Sequence, residues 1–149
     1  MSEVDAHERV DIAAHAREGY RAMAAFDRSI VFDSTLRELV KIRASQINGC
    51  AYCIELHTHD AREAGESERR IYALSAWHES PLFSERERVA LALTDVITNI
   101  AGTGLPDTVY EQAGEHFDGD ELANLILAIT AINAWNRIAI SSGLVFTDD

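Results

Sequence analysis

The chain has 149 residues, 47% of them hydrophobic, which is the length and apolar content of one domain with a real core. Its formal charge of −12 speaks against phosphate-backbone binding and against docking on an anionic membrane surface. No apolar run is read as approaching the roughly 20 residues of a membrane span, and the polar start Met1–Val10 does not read as a signal peptide. These features lead us to expect a cytoplasmic protein without nucleic-acid or membrane partners.

Strand-like alternation is absent and helical periodicity is widespread, so the expected class is all-α with six to seven helices. The first helix is expected over about Val4 to Phe26. The second follows a cap at Asp33–Ser34 and runs to the breaker Gly49. The third starts at Cys50–Cys53 and ends near Gly65, and Ser67 caps a short fourth helix ending near Trp77. Ser84 with Glu87 forms a capping-box pattern ahead of VALALTDVITNI, the fifth helix. Residues 101–107, AGTGLPD, read as a loop of breakers, and a sixth helix covers Asp107–His116. The last helix runs from Asp118–Asp120 to Gly143 and is apolar on nearly every face. Such a helix must be buried all round, either wholly in the core or half in a subunit interface. A chain this short hardly surrounds one helix, so we expect a homo-oligomer.

The chemistry-bearing motif is Cys50-Ala-Tyr-Cys53-Ile-Glu-Leu-His57. A helix N-terminus carries unpaired N–H groups and partial positive charge, which favour a thiolate. Spacing of three sets the two sulfurs within disulfide reach. His57 lies on the face of Cys53, roughly 6 Å further along the axis, and roughly 10 Å from Cys50, so it serves Cys53 more easily as a base. If the flanking helices form an antiparallel hairpin about Gly49, Glu38 comes nearly level with His57 and can orient or relay its proton. Open alternatives at this stage are a zinc site, for which His57 and His59 point apart, and an inert pair of core cysteines. His7, His15, His59, His78 and His116 have no partner constellation, and Trp77 and Trp135 read as packing. Arg137, on an apolar helix, is expected to pair with a carboxylate of its own or of a neighbouring subunit.

The pattern of Glu38, Cys50-x-x-Cys53 and His57, with its flanks KIRASQINGCAYCIELHTHDAREAGES and the segments LTDVITNIAGTGLPDTVYEQAGEHF and ELANLILAITAINAWNRIAIS, resembles the AhpD-like alkylhydroperoxidases of the carboxymuconolactone decarboxylase superfamily. The resemblance covers roughly residues 15–145. It implies a single AhpD-like helical domain over 1–149, an obligate trimer or hexamer, and thiol-dependent reduction of a hydroperoxide. It further implies Cys53 as the attacking cysteine, Cys50 as the resolving one, and His57 and Glu38 as proton relay. Some members carry a second histidine where this chain has Tyr52, which then shapes the pocket or simply packs. No cofactor or metal is implied, so electrons must come from an unidentified dithiol reductant. The rivals are a lactone-acid decarboxylase, whose members generally lack the cysteine pair, and a non-catalytic redox sensor or disulfide-exchange protein.

Overall fold

A computed structural model describes residues 9–146, and all regular structure there is helical. Helix α1 (Ile12–His15) starts at Asp11, whose carboxylate accepts from the Ala14 N–H. Helix α2 (Arg17–Ser29) comes after a break at Ala16. The single long helix expected there is therefore two, and its portion before Arg9 lies outside the described residues. No Gly or Pro marks the break. Beyond it the chain is anchored by a tertiary contact, Tyr20 on α2 meeting Trp135 edge-on at 5.4 Å.

Helix α3 (Ser34–Asn48) begins where Asp33 accepts from the Leu36 N–H, and α4 (Ala51–Glu63) begins at Cys50. Helix α5 (Glu68–Ala73), capped by Ser67, runs into a 3₁₀ turn at Leu74–Ala76. Helix α6 (Glu85–Thr98) starts with the reciprocal Ser84–Glu87 box. Helix α7 (Ile100–Thr103) is a single turn inside the expected loop, ended by Gly104 at φ +61°. Helix α8 (Asp107–His116) and α9 (Gly119–Ser142) complete the chain. The nine helical segments among the described residues exceed the expected six to seven because α1 and α7 are single turns that sequence periodicity does not resolve.

Helix α3 is the hub and packs mainly on α4, α6 and α9. Leu36, Leu39, Val40 and Ile42 meet Val89, Leu91 and Leu93 of α6 and Leu125 and Ile129 of α9 in one core. Burying each such side chain contributes about 1.5–3 kcal/mol. Helix α9 has 24 residues and is long and apolar enough to cross a membrane by composition alone, which corrects the sequence reading that no run comes near that length. In the fold it lies against α3 and α6 with Leu125, Ile129 and Ile132 fully buried. Its outer face leaves Leu127 and Ile140 exposed. Arg137 is exposed and donates to the carbonyl and side chain of Asn133, one turn back. Among the described residues no carboxylate of its own chain meets it, because the arginine lies on the exposed side of α9.

Arg70 ties α5 to the start of α6. It bonds Glu66 at 2.5 Å and both carboxylate oxygens of Glu87, and it caps the Leu82 carbonyl at 2.7 Å. Burial pushes the Glu87 carboxyl up, but hydrogen bonds from Arg70 and from the Ser84 N–H outweigh it and hold the group below its ordinary value. A depressed native pKa stabilises the fold above the unfolded value and ceases to do so as pH falls through the native one. Glu87→Gln keeps the cap but removes the charge. It is expected to lower the unfolding free energy by about 1–2 kcal/mol at pH 7, with the difference from wild type shrinking below about pH 4. Urea unfolding across that range checks this, and a pH-independent difference contradicts it.

Candidate functional site

The site is built on the joint between α3 and α4. Gly49 closes α3 at φ +70°, a conformation that costs a side chain about 1–2 kcal/mol even in open space. The Cys50 N–H then returns to the Ser45 carbonyl at 3.0 Å, and the same residue caps α4. One residue thus ends one helix and starts the next, and it carries a thiol.

A buried polar lattice fixes this joint to α9. Asn136 donates to the Ser45 hydroxyl at 2.9 Å, and Asn48 donates to the side-chain oxygens of Asn133 and Asn136, each at 2.9 Å. Asn133 reaches on to Thr98 of α6 at 3.1 Å. Asn133 and Asn136 stand on the helix that reads as apolar on nearly every face. Their spacing from Ser45 and Asn48 gave no local signal.

Cys50 and Cys53 are joined as a disulfide with their Cα atoms 5.3 Å apart, and are 1% and 3% exposed. The Cys53 N–H donates to the Cys50 sulfur at 3.3 Å, so the helix start favours negative charge on Cys50. Cys53, His57 and Ala61 recur every four residues on the buried face of α4, whereas His59 is exposed. From α3, Glu38 brings its Oε2 to 3.2 Å from His57 Nδ1. Both atoms are sequestered from solvent, and no other hydrogen-bond partner serves either one. Their approach is an ion-pair distance rather than a well-directed hydrogen bond. The hairpin about Gly49 therefore brings together all four expected site residues, with Cys53 and His57 opening onto one cavity.

That cavity, about 140 Å³, is lined by Tyr20, Leu56, Trp135, Ile138 and Leu144 besides Tyr52, Cys53 and His57. Tyr20, Tyr52, Ile138 and Leu144 also line an adjoining space of about 300 Å³, which Arg9, Asp11 and Ser142 border too, so the mostly apolar cavity at Cys53 neighbours a more polar one. Tyr52 stacks on Phe146 at 4.6 Å, nearly parallel. Trp135, read as packing, is also a wall of this cavity. Among the described residues, no three His, Cys, Asp or Glu side chains converge as a metal site.

Comparison with known proteins places this geometry among relatives. The model of the carboxymuconolactone decarboxylase family matches residues 12–96. An uncharacterised Bacillus subtilis protein, YdfG, is 44% identical over 139 residues, covering 91% of this chain and 95% of the relative. A solved Agrobacterium tumefaciens protein of unknown function, assigned provisionally to antioxidant defence as AhpD, superposes with a TM-score of 0.90 at 37% identity, covering 95% of this chain and 99% of its own. The alkyl hydroperoxide reductase AhpD of Nocardia farcinica matches a short stretch, 51% identical over 35 residues, which is 24% of this chain and 20% of that protein.

Asn136→Ala removes two bonds of the lattice behind Cys50 and leaves the half-buried Asn48 amide less satisfied. It is expected to cost about 2 kcal/mol in urea unfolding. A change below about 0.5 kcal/mol would show that the lattice does not hold the joint.

Proposed function

The chain belongs to the carboxymuconolactone decarboxylase family, among its AhpD-like members, and on that premise we propose that it is a thiol-dependent hydroperoxide reductase. The observation that carries the proposal is the vicinal cysteine pair, closed as a disulfide, with His57 one turn below Cys53 and paired to Glu38. A pair that closes without disturbing the helix can cycle between dithiol and disulfide.

In the reduced protein, His57 takes the Cys53 proton, helped by the Glu38 carboxylate. The Cys53 thiolate attacks the distal oxygen of the hydroperoxide, the O–O bond breaks, and the alkoxide leaves with the proton held on His57. Cys53 is then a sulfenic acid. Cys50 condenses with it, releasing water and forming the disulfide. An external dithiol supplies two electrons to reopen the pair. The mostly apolar cavity at Cys53 limits water around the sulfenate, and Tyr52 shapes its wall. The exposed Leu127 and Ile140 on α9 suit burial against a second copy, so the working form is proposed to be a homo-oligomer.

Peroxide consumption with excess dithiothreitol tests this. Wild type is expected to turn over, Cys53→Ser to fall to the dithiol-only background, and His57→Ala and Glu38→Gln to lose about 10²-fold or more if the relay acts in the chemical step. Wild type at background would sink the peroxidase reading, even with all four proteins equally folded.

A further inference from the structure

Glu38 borders two spaces. Its buried oxygen meets His57, while its side chain also lines a separate cleft of about 80 Å³ with Ser34, Thr35, Ala64, Gly65 and Glu66. None of these residues lines the cysteine cavity, and neither cysteine lines the cleft. The Glu38–His57 pair is thus the partition between an apolar chamber at the sulfurs and a small polar cleft at the start of α3 and the end of α4. At roughly 30 Å³ per molecule, the cleft has room for a few waters. Glu66 is held by Arg70 at 2.5 Å, which leaves Glu38 as the cleft's carboxylate in contact with an imidazole.

We infer that this cleft is a proton port, through which bulk water recharges the Glu38–His57 pair while the cysteine chamber is occupied. The inference rests on the reading of Cys50 and Cys53 as a redox pair. The need for a port arises in the reductive half of the cycle. A first thiolate of the dithiol attacks Cys53 Sγ. An intermolecular S–S bond forms, the Cys50–Cys53 bond breaks, and Cys50 leaves as a thiolate steadied by the Cys53 N–H. The second thiolate attacks the reductant's own sulfur in that mixed disulfide, closes the reductant's disulfide and releases Cys53 as a thiolate. Two electrons have moved into the pair, but the reductant's two protons went to bulk water when its thiols ionised. Protons must therefore re-enter a chamber that the reductant occupies while it is bound to Cys53. The oxidative half makes no such demand, because the Cys53 proton leaves with the alkoxide.

Thr35 and Ala64 are exposed residues at helix ends, so Thr35→Leu/Ala64→Leu fills the cleft without replacing either residue of the relay. The full chain, oxidised with diamide and then mixed with dithiothreitol, reports reduction alone. Oxidation of the reduced chain by cumene hydroperoxide reports the other half. The double variant is expected to reduce about tenfold more slowly, with a raised solvent isotope effect, while its oxidation changes less than about twofold. Unchanged reduction overturns the port. Equal slowing of both halves with an unmoved isotope effect also overturns it, as that marks a structural disturbance. Failure of wild type to react with peroxide would remove the peroxidase reading but leave the diamide arm decisive for the port.

Discussion

The left-handed turn at Gly49 sets the register of α4 against α3, and that register places every side chain of the candidate site. The turn lets Cys50 close α3 through its N–H and open α4 as its cap. From there the 3.6-residue repeat sends Cys53 and His57 to the buried face, and the antiparallel return brings Glu38 level with His57. Slipping the register by one residue would rotate His57 by about 100° and break its pairing with Glu38. The asparagine lattice makes such a slip costly. It bonds the last turn of α3 to α9, and Asn133 extends it to α6, so the joint is held by three helices rather than by the hairpin alone.

The two sulfurs sit in different fields although they are three residues apart. Cys50 receives a backbone N–H at the helix start, while Cys53 lies a turn inside, on the face of the imidazole and the apolar chamber. The first environment suits a leaving thiolate and the second a nucleophile that acquires its charge on demand. The proposed division of labour would thus rest on position on the helix and would not require unlike flanking charges.

What was legible in the sequence is what is local. Asp33, Ser67, the Ser84–Glu87 box and Asp118 announce their helices because a cap bonds only two or three residues on. The Glu38–His57 pairing was legible because a hairpin about one glycine is close to a local structure. The break at Ala16 was not, since no breaker stands there. Nor were the partners of Asn133 and Asn136 on α3, which lie 85 to 91 residues away. The cavity at Cys53 was equally hidden: Tyr20, Trp135 and Leu144 come from the two ends of the chain, and aromatic residues there read equally well as core. That Arg137 meets no carboxylate of its own chain among the described residues was hidden as well, because periodicity says a helix is apolar overall but not which edge of it is exposed.

The central claim is that Cys53 is the sulfur that meets the oxidant. Its most direct test is trapping of the sulfenic acid with dimedone after one equivalent of cumene hydroperoxide, comparing Cys50→Ser with Cys53→Ser by mass spectrometry of the labelled peptide. The account predicts rapid, near-complete labelling of Cys53 in the first variant and little labelling of Cys50 in the second. Faster labelling of Cys50 would contradict it and reverse the assignment of the pair.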